Sequence, residues 1–277
     1  MSRVLVTGGT GFVGRQIVKS LLNDGHDVVL TVRDRVNSKT GIASSRLSFI
    51  ETKDIFSETI DWWEGVCGGF DVVVHSAWYA EPGKYIQSEL NNTCLIGSLN
   101  LATGAAKAGV KRFVGVGSCS EYDLSYRILS TDTPLNPTNP YSLAKASLYF
   151  GLKQLFSTHS VEFAWCRLFY LYGENEDSRR FVPYLKSRLE SGEIAELTSG
   201  KQIRDYLDVA EAGRRISKVC FSQKSGAFNI CSGVPITIRQ FAEDIARQYN
   251  ATDLLRFGAR SENLFDPDCI IGIPSDV

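Results

Sequence analysis

The chain has no cysteine pair at redox or zinc-ligating spacing, no long apolar run and almost no net charge. Each absence excludes something. The seven cysteines, at positions 67, 94, 119, 166, 220, 231 and 269, are odd in number and form no CxxC, which argues against a disulfide framework and against zinc. No metal is expected. A net charge of −1 over 277 residues offers no basic field to nucleic acid or to a membrane surface, so the expected partner is a small molecule. No apolar stretch reaches spanning length, and the opening residues enter an apolar strand without a signal-peptide pattern. A cytoplasmic location is expected. Internal repeats, low-complexity segments and long polar linkers are also missing.

What remains is ordinary globular composition, 43% hydrophobic and 22% charged, in a chain long enough to bury a core unaided. Short β-branched runs at Val4–Thr7, Val28–Val32, Leu47–Glu51, Asp71–His75, Phe113–Gly117 and Phe163–Arg167 read as strands. Helix-length stretches lie among them, including Gly14–Leu22, Gln87–Ala108 and Tyr141–Thr158. Strands alternating with helices demand parallel crossovers, because each connection must travel back across the sheet. The expected fold class is therefore α/β, a doubly wound parallel sheet. Beyond Arg167 the rhythm loosens, with a basic helix near Val182–Glu190, a strand at Gly226–Ile230 and a helix at Ile238–Tyr249. This segment reads as a smaller lobe interleaved with the first. The expected division gives residues 1–167, with a contribution from about 204–232, to dinucleotide binding, and 168–203 with 233–277 to a substrate lobe.

Between the first strand and the first helix, Gly8, Gly11 and Gly14 stand at GxxGxxG spacing, with Phe12 and Val13 inside the turn. Such a turn lets backbone N–H groups and the positive end of a helix meet a pyrophosphate. The plainer alternative is a turn that only packs helix on strand. The second strand ends in Val32-Arg33, where a fold reading NAD usually carries an acid for the ribose hydroxyls. Arg33, with Arg35 nearby, suits a 2′-phosphate and favours NADP, unless Arg33-Asp34-Arg35 is merely a solvated loop.

Asn139-Pro140-Tyr141 reads as a helix start, Asn139 as N-cap and Pro140 at the first position. Tyr141 and Lys145 then share a face, and a cation beside a phenol can bring its pKa of about 10 toward neutrality for acid/base work. A tyrosine and lysine at this spacing are also common as simple surface neighbours. Ser118 and Ser120 follow the strand ending at Gly117, at the sheet end where parallel folds hold ligands. Serines there are equally at home as turn residues.

Taken together, the chain resembles the extended short-chain dehydrogenase/reductases, the group that holds nucleotide-sugar epimerases, dehydratases and 4-ketoreductases. The likeness rests on Thr7–Gly14, Asp71–Ala77, Gly109–Val114, Gly117–Tyr122, Tyr141 with Lys145, Arg167–Gly173, Arg204-Asp205-Tyr206 and Phe228–Gly233. It implies a Rossmann domain in which Tyr141 is the acid/base, Lys145 holds the nicotinamide ribose and lowers the tyrosine pKa, and Ser118 binds the reacting oxygen. It further implies Asp54 near the adenine, Ala77 beside the cofactor ribose-phosphate, and Arg204 on the phosphates of a nucleotide sugar. The alternative for Arg204 is a surface salt bridge with Asp205 or Asp208. Relatives pair two long helices per subunit, here Gln87–Ala108 and Tyr141–Thr158, so a homodimer is expected. Leu148, Phe150, Leu152 and Phe156, spread around the second of these, suggest more apolar surface than one sheet face would cover.

Departures narrow the reaction. Tyr170 stands where many relatives have asparagine, and Cys119-Ser120 stands where dehydratases carry an Asp-Glu pair. The chain is also shorter than typical sugar epimerases, so the resemblance implies a trimmed C-terminal lobe. Three functions stay open. The first is NADPH-dependent reduction of a nucleotide-linked 4-keto-6-deoxysugar, the second a nucleotide-sugar 4-epimerase with tightly held NAD(P). The third, a non-enzymatic NADP-binding regulator or scaffold, has no use for a proton donor beside the nicotinamide.

Overall fold

The structure, a computed structural model, describes residues 1–35, 41–262 and 266–277. The elements run β1 (Arg3–Thr7), α1 (Phe12–Asn23), β2 (Asp27–Val32), β3 (Leu47–Glu51), α2 (Ile60–Cys67), β4 (Val72–His75), α3 (Leu90–Lys107), β5 (Arg112–Ser118), β6 (Ile128–Leu129) and α4 (Pro140–Ser157). They continue with β7 (Glu162–Leu168), β8 (Tyr170–Tyr172), α5 (Phe181–Glu190), β9 (Ala195–Leu197), β10 (Ile203–Asp208), α6 (Val209–Val219), β11 (Gly226–Ile230), β12 (Pro235–Thr237), α7 (Ile238–Gln248), β13 (Leu255–Phe257) and β14 (Ile271–Gly272).

Among the described residues, seven strands form one parallel sheet in the order β3-β2-β1-β4-β5-β7-β11. Successive side chains alternate between its faces. Val4, Val6, Val28, Leu30, Val72 and Val74 pack against Ile17, Val18 and Leu21 of α1 and Ile216 and Val219 of α6. On the other face Leu5, Val29, Val73 and Phe113 meet Trp63 of α2, Leu101 of α3, and Leu148, Leu152 and Phe156 of α4. Burial on both faces explains why these strands read as continuous apolar runs. The strand order reverses between β1 and β4, which opens a crevice at their C-terminal ends.

A third core joins α5, α7, β9 and β13 through Val182, Leu185, Leu189, Leu197, Phe241, Ile245 and Leu255. The strand β10, parallel to β8 and antiparallel to β12, leads from this region into α6. At the chain's end β14 pairs with β6, and Ser275 Oγ accepts the Asn229 amide.

Two sequence expectations change. The helix expected over Gln87–Ala108 is a 3₁₀ turn at Tyr85–Gln87 followed by α3, because Ser88 is extended and the Asn91 side chain takes the Tyr85 and Ser88 carbonyls. On α4, Leu148, Leu152 and Phe156 are all buried within the chain, and Phe150 alone of the four faces outward, at 56% exposure.

Candidate active site

Local sequence builds the phosphate-facing turn. Gly8 adopts φ +75°, and a side chain there would lie 2.5 Å from the Ala77 amide nitrogen. A Cβ on Gly14 would stand 2.1 Å from the Gly8 carbonyl oxygen, so glycine lets α1 close on the turn. The Gly11 amide donates to the Gly8 carbonyl at 3.0 Å. No side chain caps α1, and its first turn, which includes Phe12, Val13 and Gly14, carries no acid. These are the features of a backbone cradle for an anion. Ala77 follows β4 on the far side of the same crevice. Arg33 is exposed at the end of β2, and Asp54 is exposed just after the neighbouring β3, with one carboxylate oxygen accepting the Phe56 amide. The turn, Ala77, Arg33 and Asp54 thus lie along one edge of the sheet, and the cradle and its flanks fit a dinucleotide.

Asn139 caps α4 through the Ser142 amide at 3.0 Å, and Pro140 occupies the first turn, which orients Tyr141 and Lys145. The Ser118 hydroxyl faces the Tyr141 phenol closely enough to act on its titration. Ser120 Oγ lies 2.9 Å from Ser118 Oγ, so the two serines and the tyrosine form one polar cluster. Burial holds the Tyr141 pKa above the ordinary phenol range, with Tyr85 and Glu121 adding to the rise and Ser118 opposing it. Tyr85 and Trp78 present edges to the Tyr141 ring at 4.8 and 6.4 Å.

Lys145 is buried one turn along the same helix. Its Nζ donates to the Val116 carbonyl at 2.7 Å and lies 3.9 Å from the Trp78 ring centroid. The shared helix face brings the two residues together, yet the ammonium turns toward the sheet. Burial draws its pKa down to about 8, while Glu121 opposes the fall. Trp78 is itself fixed, since its Nε1 donates to Asn91 at 2.8 Å.

Arg204 is 1% exposed and pairs with Asp266 at 2.7 Å, its guanidinium 5.1 Å from the Tyr170 ring. The alternative of a surface salt bridge with Asp205 or Asp208 is therefore incorrect. Asp205 instead accepts the Ser232 amide and hydroxyl, the Gly233 amide and the Gly272 amide, and Asp208 caps α6. Asp266 lies outside the motif carrying Arg204, so short-range reading had no signal for it.

Three further residues gain weight only in three dimensions. Trp78 and Tyr85 pack against the Tyr141 ring, and buried Glu121 accepts the Ser118 amide at 2.7 Å. Trp78 did carry a signal, standing directly after Ala77. Among the described residues no group of three or more His, Cys, Asp or Glu could hold a metal. Among the described residues no helix is long and apolar enough to cross a membrane.

Comparison with known proteins gives this site its setting. The chain is 28% identical to the dTDP-6-deoxy-L-talose 4-dehydrogenase (NAD(+)) of Aggregatibacter actinomycetemcomitans, over 89% of this chain and 90% of that protein. It is 25% identical to the UDP-glucose 4-epimerase of Bacillus subtilis, over 87% and 80%. Among solved structures, the UDP-N-acetylglucosamine 4-epimerase of Methanobrevibacter ruminantium, in complex with UDP-N-acetylmuramic acid, superposes with a TM-score of 0.85 at 23% identity. That match covers 99% of this chain and 90% of the epimerase and shares the fold. Residues 4–231 match the NAD dependent epimerase/dehydratase family, and the chain is an enzyme belonging to that family.

Proposed function

We propose that the enzyme reduces a nucleotide-linked 4-keto-6-deoxysugar to the 4-hydroxy sugar, with NADPH as the reductant. The observation that carries this reading is the cluster of Ser118, Ser120 and Tyr141 beside a position that cannot perform dehydration chemistry. There Cys119 is buried, its thiol pushed up to about 12, and Ser120 bonds to Ser118, so neither is an acid or base for eliminating water. The 4-dehydrogenase relative, aligned over nine-tenths of both chains, is named for the same carbon in the oxidative direction.

When bound, the nicotinamide cofactor supplies the hydride. Ser118 donates to the reacting oxygen, and Tyr141, protonated at neutral pH, delivers the proton that turns the reduced carbonyl into an alcohol. Lys145 holds the ribose hydroxyls, and Trp78 keeps its ammonium at the crevice. The backbone of Gly8, Gly11, Phe12, Val13 and Gly14 takes the pyrophosphate, with Ala77 opposite. Asp54 meets the adenosine end, and Arg33 meets a 2′-phosphate. The third core forms the substrate side, where Arg204 exchanges Asp266 for a phosphate oxygen of the nucleotide. Seven free thiols, six of them buried, suit a reducing compartment such as the cytoplasm. The working form is a homodimer built on α3 and α4.

The test supplies dTDP-4-keto-6-deoxyglucose and NADPH and follows the nicotinamide absorbance. Stoichiometric NADPH loss with a new alcohol is expected. Tyr141→Phe should bind NADPH as before and turn over about 100-fold more slowly, because the ring stays and the transferable proton goes. Full activity in that variant removes Tyr141 from the mechanism. A 4-epimerase is the second reading, favoured by the Bacillus relative, and interconversion of a UDP-hexose without net NADPH use would move the assignment there.

A further inference from the structure

The Ser118 turn is held by a buried acid that none of the chemistry above employs. Glu121 is fully buried, and its Oε1 accepts the Ser118 amide at 2.7 Å. The other oxygen, Oε2, accepts Trp165 Nε1 at 2.9 Å and Arg167 Nε at 2.7 Å. Arg167 is locked in turn, its guanidinium between the rings of Tyr122 and Tyr149 at 4.5 and 4.6 Å and its Nη1 donating to the Tyr122 hydroxyl. That hydroxyl donates to Asn229, whose amide reaches the Leu129 and Ile273 carbonyls. A Cβ on Gly117 would lie 2.5 Å from Glu121 Oε1, so glycine there gives the carboxylate room to reach the Ser118 backbone.

We propose that Glu121 is a positioning residue for this site: its carboxylate pins the Ser118 backbone so that the hydroxyl meets Tyr141, and its negative charge acts across the cluster on the catalytic tyrosine. This rests on the reading of Tyr141 as the acid. The structure separates the two roles by atom, since reach to the Ser118 amide requires a side chain of this length, whereas the charge acts through space. Glu121 acts to raise both Tyr141 and Lys145. The other titratable groups facing this cluster are Tyr85 ahead of α3, Cys94 on α3, Cys119 and Tyr122 on the same turn, Lys145 on α4 and Arg167 on β7. The burial of Cys94 and Cys119 raises both thiols, so they are neutral near pH 7 and bring no charge to the site. In the reductive step one proton leaves Tyr141 for the substrate oxygen and is regained from water, so the charge of Glu121 shapes the proton's affinity without the residue touching the reacting atoms.

Three variants dissociate reach from charge. Glu121→Gln keeps the length and loses the charge, Glu121→Asp keeps the charge and loses the reach, and Glu121→Gln/Arg167→Gln gives the buried pair a neutral replacement should the single variant unfold. Turnover of dTDP-4-keto-6-deoxyglucose with NADPH is measured across pH, and Lys145 is titrated by NMR of isotope-labelled lysine in the cofactor-free protein, its signal assigned by loss in Lys145→Arg. Glu121→Gln and the double variant should move the basic limb of the pH profile, where the protonated tyrosine is lost, down by about one pH unit, and the Lys145 titration down with it. Glu121→Asp should leave both in place and lower kcat about 10-fold with KM little changed. An unmoved limb and an unmoved lysine in the Gln variants overturn the electrostatic role, and parental kcat in Glu121→Asp overturns the pinning role. Full turnover in Tyr141→Phe would instead sink the reductase mechanism, and the lysine titration would still decide the charge of Glu121.

Discussion

Glu176, on the loop after β8, is held with its Oε2 buried and without a hydrogen-bond partner among the described residues. Burial raises its pKa to about 7 against the opposing pull of Arg180 and Lys186. In the unfolded chain the same carboxyl titrates near about 4.3, so the native state favours the protonated form. Its contribution to stability is therefore full below the unfolded value and is lost as the pH rises through 7. Glu176→Gln keeps the shape without the charge, and it should raise the unfolding free energy at about pH 8 by on the order of 1–2 kcal/mol, seen as a higher melting temperature, with little change near pH 4. An equal effect at both pH values would mean that ionisation is not the cause. Arg33 supports a second measurement at this scale. Losing a charge-assisted contact costs about 1.5–3 kcal/mol, so Arg33→Ala should erase a roughly 10- to 100-fold preference for NADPH over NADH in direct binding. Equal binding of both by the parent protein would return the cofactor to NAD, the form named in the dehydrogenase relative. Tyr141, Lys145 and Ser118 were legible because helix spacing and a strand end set their positions. Glu121 and Trp78 were not, because their weight comes from Arg167, Trp165, Lys145 and Asn91, partners that only the folded chain assembles.

At the scale of elements, the inner strands β1, β2, β4 and β5 were readable since each is an apolar run buried on two faces, and the doubly wound class followed from their alternation with helices. The small strands β8, β9, β12, β13 and β14, of two or three residues each, carry too little pattern to announce themselves and depend on pairing partners far along the chain. The register of α1 against the turn is where an element and the site depend on one residue. Adding a methyl at Gly14 drives it into the Gly8 carbonyl at 2.1 Å, backbone against backbone, so α1 must tilt away from the cradle. Gly14→Ala should lose about 1–3 kcal/mol of stability by overpacking and weaken NADPH binding at least 10-fold, while the same change at exposed Gly65, with nothing near its Cβ, should leave binding intact. Calorimetry and fluorescence titration read the two effects, and undiminished affinity in Gly14→Ala would remove the turn from the cofactor site.

At the scale of the whole molecule, the question is what covers the outward face of α3 and α4. These helices pack on one another closely enough that a Cβ on Gly151 would lie 3.1 Å from Leu99, and their inward residues are already committed to the sheet. The outward side still carries Ile96 at 60% exposure on α3, with Leu143 and Phe150 seven residues apart, and so on one face, on α4 at 55% and 56%. The apolar excess read from sequence thus shrinks to a few side chains, but they fall on the two helices whose pairing would make a four-helix bundle. Pairing across a two-fold axis would bury each residue twice, which amplifies the effect of any one change. Phe150→Glu places two carboxylates in that seam, and together with Ile96→Glu it should convert a dimer at micromolar concentration into a monomer, with the site geometry and NADPH affinity retained. Light scattering on the parent and the double variant decides the matter. A parent that is already monomeric at that concentration would show that α3 and α4 carry these apolar residues without a partner.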